Sequence, residues 1–434
     1  MPRDRQDKHS GISRRQLLRG ASAITGLAAG SGAVTGFPTI WAQNIKDIVL
    51  QHAGPPVTAI PAIAEQASKD LGFTIKMQAS ENADLLNRFL SQSSAIDCAD
   101  ISIVFMKYLI GRNVLQAIPV AKAQNFDKTI PLFTKGEYAD GRKAPRQGIM
   151  PLNVLYATGP DGQKVTDGTP TEWMTGIPTV TNADTLGIRP DLVARPTTSW
   201  ADLLQPEFKG KAALQDSPTV GVIDVAMALE ARGDITYANK GNMTKEEIDK
   251  TIKLMTEIKK SGQFRSFWGS FGQSVNLMAS GEVVIQSMWS PAVAAVRSRG
   301  IACTYKALKE GYRGWGFTLG VMKHVTGLKL EAFYEYMNWY TAGFQGAFIA
   351  RQGYYAAQPE NARKFLSAAE WDYWYGGKPA ATDMLNPYGK LQERAGATRD
   401  GGAFWERLGN IAVWNSVMDE DRYLTRKWNE FITS

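Results

Sequence analysis

Beyond its first forty residues the chain alternates short apolar runs with longer stretches in which apolar residues recur every three or four positions. IKDIVLQHAG reads as a strand; Gly54-Pro55-Pro56 ends it and opens the helical stretch VTAIPAIAEQASKDLG, which closes on Gly72 as a C-cap. FTIKMQAS reads as a second strand. Ser80 then caps ENADLLNRFLSQ, where Leu85, Leu86, Phe89 and Leu90 form one apolar face. ADISIVFM reads as a third strand, and YLIGRNVLQAIP follows. Strands alternating with helices imply parallel pairing through crossover connections, and so an α/β chain.

The alternation lapses between Lys143 and Gly176, where NVLYAT and QKVT flank Gly-Pro-Asp-Gly as an expected hairpin. IPTVTNADTLG restarts the pattern, which makes this the place for a crossing between lobes. In TTSWADLLQPEFKGKAALQDSPTVG a helix opening and a short apolar strand lead through Asp216-Ser217-Pro218 into another helix. Then come the helix KEEIDKTIKLMTEIKKSG, the pair SVNLMASG and EVVIQSMW, and a helix starting SPAVAAVRSRG. ACTYKAL and WGFTLGVMK read as strands, the second returning to the first lobe; from EAFYEYMNWY the remainder reads as mostly helical. A chain of 434 residues is too long for one small core. The expected organisation is lobe 1 over 43–176, lobe 2 over 177–312, a return to lobe 1 over 313–345, and a helical segment over 346–434 packing on both.

The first residues differ in kind. ISRRQLLRG precedes the Gly- and Ala-rich apolar run ASAITGLAAGSGAVTGF, and Ala42 offers a small exit residue. This is the layout of a cleavable export signal over 1–42, and the pair Arg14-Arg15 resembles the twin-arginine motif. Setting these residues aside removes six of the 49 basic and two of the 42 acidic residues; 43 and 40 remain, a net charge of +3 instead of +7. No basic stripe for nucleic acid survives. No later run approaches eighteen apolar residues, so no membrane span is expected. Cys98 and Cys303 are the only cysteines; an exported chain can pair them or bury them apart.

Three junctions share one chemistry. Pro55-Pro56, Ser217-Pro218 and Ser290-Pro291 each follow an apolar run and place Pro near a helix start, where free N–H groups and the helix dipole suit a polar or anionic group. Taken singly each is a well-capped helix; three in one α/β chain point to binding at strand ends. Aromatic residues are the second signal, with Trp173, Trp268, Trp289, Trp315, Tyr354 and Tyr355 at strand or loop ends. Core packing is the usual fate of such rings, but Trp289 sits directly between a strand and the Ser290 cap. Catalytic patterns are scarce. His52 and His324 form no zinc spacing, and there is no nucleophile elbow and no phosphate loop. Asp97 and Asp100 read as strand flanks rather than an acid–base pair. The balance is that of a binder, not an enzyme.

TSWADLLQPEFKGKAALQDSPTVGV resembles a segment of the extracellular solute-binding proteins that serve ABC importers, in their spermidine/putrescine-binding branch. ADISIVFM, SGEVVIQSMWSPAVAAV, RQGYYAAQPENARKFL and WNSVMDEDRYLTRKWNEF are similar to further segments in the same order. The resemblance implies a two-lobed periplasmic-binding-protein fold of type II kind, with each lobe a mostly parallel sheet flanked by helices and crossing strands between them. It implies a monomer in the periplasm, delivered by the twin-arginine machinery, that closes on a solute and hands it to a membrane permease. It places Asp216, Trp289, Ser80, Glu81, Trp268, Trp315 and Tyr354 at the cleft, with Ser217, Thr219 and Ser290 beside them. No metal or cofactor is implied. Polyamine binders surround amines with several carboxylates, yet here Thr219 and Ser290-Pro291 stand where acids are common, and His52-Ala53-Gly54 replaces an aromatic-acidic feature. The expected ligand is therefore a small polar, amine-bearing solute, with polyamine the family default. A sugar, opine, amino acid or ferric ion (through Tyr354-Tyr355) is the alternative within the superfamily, and an exported hydrolase the alternative outside it.

Overall fold

A computed structural model describes residues 45–434; the expected export signal over 1–42 lies outside the described residues. Among those described, no helix is long and apolar enough to cross a membrane.

The first half begins with β1 (Val49–Gly54), α1 (Pro61–Leu71), β2 (Thr74–Ala79), α2 (Asn82–Ser91) and β3 (Cys98–Ser102), with β1 parallel to both β2 and β3. Gly72 closes α1 in the left-handed region at φ 78°, where its missing Cβ removes the steric cost. The helix starts at Pro61 and not after Pro56, because Thr58 and Ala59 turn back to bond the Pro55 carbonyl. The run ADISIVFM is not one strand: β3 stops at Ser102 and α3 (Ile103–Gly111) starts at once. A short continuous apolar run satisfies a buried strand and a buried helix equally, so its pattern alone does not separate them. The hairpin expected around Gly-Pro-Asp-Gly is reduced to an isolated bridge, Ala157 to Val165, with Pro151–Leu155 helical before it.

Next in order come β4 (Ile177–Ile188), β5 (Ala212–Gln215), α4 (Gly221–Arg232), α5 (Lys245–Lys260), β6 (Phe264–Trp268), α6 (Phe271–Ser280), β7 (Ile285–Met288), α7 (Ser290–Arg297), β8 (Tyr312–Met322) and α8 (Gly327–Thr341). ACTYKAL contributes one bridge, Thr304 to Ile188, and no strand. The last elements used below are β9 (Ile411–Trp414) and α9 (Asp421–Thr433). The segment after 346 is thus less helical than its composition suggests. It holds β9, parallel to β8, and a small hairpin of Met384–Leu385 with Leu391–Glu393.

One eleven-stranded sheet runs in the order β2-β1-β3-β8-β4-β7-β5-β6 along its main path. Its centre is the antiparallel pair β4 and β8, the two longest strands. β4 changes neighbour along its length, pairing β8 over 177–184 and β7 over 185–188. The core divides at the same place. One apolar cluster includes Ala183 and resumes at Tyr312, while a second takes Leu186 through Leu308 and then Leu424, Trp428 and Phe431 of α9. The chain therefore passes between two cores inside β4 and returns just before β8. Cys98 and Cys303 are free, buried, and lie in different clusters.

Behind β1 and β3 lies a dry polar cluster. His52 meets Tyr336 on α8 through Nδ1 at 2.7 Å and Asp100 through Nε2 at 3.2 Å. Tyr340 and Thr179 donate hydroxyls to the same carboxylate at 2.6 and 3.1 Å. Burial alone would raise the pKa of Asp100, but the His52 contact and the hydroxyl donors outweigh it and hold the carboxyl below its usual value. Its contribution to stability is present above the unfolded value near about pH 4 and is lost as pH falls through the lower folded value. Asp100→Asn should therefore cost about 3–5 kcal/mol near neutral pH. It should also flatten the loss of stability below about pH 4; urea unfolding of both proteins across that range measures both effects.

Candidate functional site

A cavity of about 500 Å³ opens beside the crossing strands. Pro55, Pro56, Val57, Glu81 and Ser102 line it from the first half; Gln215, Val220, Phe271, Trp289 and Pro291 line it from the second. Trp315 and Phe317 of β8 contribute from the crossing itself, and Gln352, Tyr354, Tyr388 and Asn415 come from the later chain.

Helix starts account for much of this wall. Glu81, Ser102, Val220 and Trp289 are the N-cap residues of α2, α3, α4 and α7, and Phe271 is the first residue of α6. The starts of five helices thus line one space, as strand-to-helix turns do at the carboxyl ends of strands. Of the junctions singled out from sequence, only Ser290-Pro291 opens its helix where expected. The Ser217-Pro218 step first makes a turn, with the Thr219 amide bonded to Ser217 Oγ at 3.3 Å, and α4 begins at Gly221. No side chain fits at that glycine: a Cβ would sit 2.0 Å from the Gln215 carbonyl oxygen.

Two aromatic groups face the space. Trp289 stacks near Phe271 at 6.3 Å and takes the edge of buried Trp268 at 5.0 Å. Trp315 packs edge-to-face on Tyr354 at 5.7 Å and Phe317 at 5.4 Å. Burial, reinforced by the charge of nearby Asp184, pushes the Tyr354 phenol well above its usual value, so it keeps its proton. Tyr355 is buried elsewhere, its hydroxyl accepting from Arg399 at 2.9 Å and its ring against Phe404. The two neighbouring phenols do not converge.

Among the lining residues Glu81 alone carries a formal charge, and Gln215, Gln352, Asn386, Gln392 and Asn415 supply carboxamides. Gln215 Oε1 and Gln352 Nε2 have no hydrogen-bond partner within the protein. Among the described residues no three His, Cys, Asp or Glu side chains gather as a metal set.

Of the residues expected at the cleft, Glu81, Trp289, Trp315 and Tyr354 line the cavity together. The others stand behind or beside it. Trp268 supports Trp289. Ser80 Oγ accepts from Arg88 at 2.9 Å, and Ser290 Oγ accepts from Asn182 at 3.0 Å. Ser217 and Thr219 bond to each other. Asp216 is exposed, absent from the lining, and its Oδ1 accepts the indole N–H of Trp428 on α9 at 2.8 Å. A carboxylate at a strand end is equally suited to a ligand and to a returning helix, and the partner 212 positions away is invisible to local pattern.

Sequence reasoning also passed over the charges beneath the floor. Arg313 and Asp184 face each other across β8 and β4. Arg313 Nε bonds Asp224 at 2.6 Å, its Nη1 bonds Asn415 at 2.6 Å, and its Nη2 lies 3.6 Å from Asp184. A charged residue inside each of two strand-like runs, Asp184 in NADTLGI and Arg313 in YRGWGF, was the available signal.

Two α/β halves with strands crossing between them, and a polar-rimmed aromatic cavity at the crossing, define a binding protein of the two-lobed kind. The chain belongs to the bacterial extracellular solute-binding protein family, whose model matches residues 62–380. No curated protein sequence matches it. Solved structures share the fold at low identity. One is a spermidine/putrescine ABC transporter substrate-binding protein from Streptococcus pneumoniae, 13% identical with a TM-score of 0.56, covering 89% of this chain and 97% of that one. Another is the Atu4243 GABA receptor, 16% identical with a TM-score of 0.57 and coverages of 89% and 98%. A third is the binding protein AgtB from A. tumefaciens R10 in complex with agropinic acid, 14% identical with a TM-score of 0.55 and coverages of 89% and 99%.

The Asp216 to Trp428 contact tests whether that carboxylate serves the closing helix. In a double-mutant cycle with Asp216→Ala and Trp428→Phe, urea unfolding should give a coupling of about 1 kcal/mol. A coupling near zero would remove the structural role.

Proposed function

We propose that this chain is the substrate-binding component of an ABC importer, exported to the periplasm by the twin-arginine route, and that it captures a small amine-bearing polar solute for a membrane permease. The observation that carries the reading is the lining itself: one carboxylate, Glu81, among aromatic rings, carboxamides and helix starts. An ammonium group pairs with Glu81 and gains from the ring faces, with cation–π contacts of about 0.5–2 kcal/mol each. Oxygen atoms on the rest of the solute meet the helix N–H groups and the unpartnered Gln352 Nε2. Two of the structural neighbours are named for amines, a polyamine and GABA.

The charge count argues for a solute with one ammonium. A buried ammonium without a carboxylate partner costs several kcal/mol, so spermidine would leave charges uncompensated in this cavity. The reading assigns the amine to Glu81, which lines the cavity, over Asp216, which does not line it and whose Oδ1 accepts from Trp428. An iron site built on Tyr354-Tyr355 finds no support in phenols that part, and a two-carboxylate hydrolytic site finds no second acid in the wall.

Titration calorimetry with GABA, putrescine, spermidine, a neutral sugar, an amino acid and a sugar–amino acid conjugate tests the reading. A monoamine should bind best, and Glu81→Gln should weaken it at least about tenfold, or 1.4 kcal/mol. Tight spermidine binding that survives Glu81→Gln would overturn the assignment of the amine.

A further inference from the structure

The buried carboxylate of Asp184 makes its two closest contacts with uncharged donors, one of them a ring of the cavity wall. Other buried indoles in this protein use no buried carboxylate: Trp200 donates to the neutral Gly311 carbonyl at 2.9 Å, Trp339 and Trp428 donate to the exposed Asp70 and Asp216, and the N–H groups of Trp268, Trp374 and Trp414 have no partner within the protein. Trp315, a ring of the cavity wall, instead donates to Asp184 Oδ2 at 2.6 Å. Tyr305 donates to the other oxygen at 2.8 Å. Both oxygens of a carboxylate with no exposed surface are therefore held by uncharged donors; of the two cations near it, Arg313 is 3.6 Å off and bonded more closely to Asp224, and Arg407 bonds Asn182 and the Ala183 carbonyl.

Strand register explains why these groups meet. Arg313 stands opposite Asp184 and Trp315 opposite Asn182. Positions two apart share a face, so the four side chains lie on one side of the crossing pair. The remaining groups turned toward Asp184 are Tyr305, Tyr354 and Arg407. Arg407 donates to the Ala183 carbonyl at 2.7 Å and to Asn182 Oδ1 at 3.3 Å. Asp224 lies beyond Arg313.

We infer that Asp184 is a positioning residue of the cleft: its carboxylate fixes the ring of Trp315 and, through Arg313, the carboxamide of Asn415, so that two wall residues are set from the crossing strands. Its bearing on solute capture rests on the proposed function; its hold on the indole does not. Burial, opposed by Arg313, the two donors and Arg407, raises the pKa of Asp184 to about 6. The carboxylate form, and with it the strong acceptor for Trp315, is thus present above that pH and lost below it. Asp224 is also raised, by burial against the attraction of Arg313, so the two acids compete for one guanidinium as protons are added.

The indole N–H resonance of Trp315 reads this directly and needs no solute. In protein carrying nitrogen-15 tryptophan, its cross-peak is the one lost in Trp315→Phe among the 12 tryptophans. The expected result is a downfield proton shift above neutral pH that moves upfield on acidification with a midpoint near 6. Asp184→Asn should remove the titration, and Asp184→Glu should restore a shifted one. A Trp315 peak that lies upfield among the indole signals above neutral pH, as a neutral acceptor would leave it, overturns the inference whether or not the Asn variant folds, and one that does not move between about pH 8 and about pH 5 overturns the raised pKa of Asp184. A peak that titrates alike in Asp184→Asn overturns it as well. Absence of any binding compound in the calorimetric panel would count against the proposed function and leave this measurement intact.

Discussion

A guanidinium shut away from water holds the middle of this molecule. Arg313 lies between Asp184 on β4 and Asp224 on α4, with almost none of its surface exposed. A buried charge of this kind is tolerable only if its partners stay in place, and removing one leaves the rest uncompensated. The two carboxylates belong to different parts of the second half, while Arg313 itself opens the strand that returns to the first. Crossing strands, helix α4 and the residue Asn415 are thereby tied at one point. The cavity floor inherits its geometry from that tie, because Trp315 and Asn415 are both bonded to members of it.

The wall above the floor uses very little charge. Its rings stand in two groups, Trp289 with Phe271 from the second half and Trp315 with Phe317 and Tyr354 at the crossing. Aromatic faces offer large contact area at low conformational cost, and carboxamides can serve as donor or acceptor. Under the proposed function such a lining would discriminate by counting charges: one ammonium would be matched by Glu81, and each further one would be desolvated without a partner. The helix starts supply the complementary polarity without any basic side chain.

Much of this was legible locally. The alternation of runs fixed the α/β character, and Trp289, Trp315 and Tyr354 drew attention because each stands at a strand or loop end. The misreadings share a cause. ADISIVFM hides the change from β3 to α3 because both are buried, so no polar residue marks the boundary. Ser217-Pro218 looks like a helix start because Ser and Pro favour one, but the close approach of Gln215 to Gly221 delays the helix by a turn. Asp216 looked like a ligand because its neighbours are ligand-like, and only the return of α9 gave it another partner.

What the order of residues determined alone is therefore periodic: which segments are strands or helices, where aromatic rings cluster, and how few acids stand near them. What only the tertiary structure decided is which of two plausible carboxylates faces the cavity, and that Asp184, Asp224 and Arg313 form one group. Periodicity is set by neighbours within a turn or a pleat, whereas the partner of a charged side chain here lies from 89 to 212 positions away. Nothing in the spacing of either residue encodes that distance; it is chosen when the two cores pack against the strands that join them.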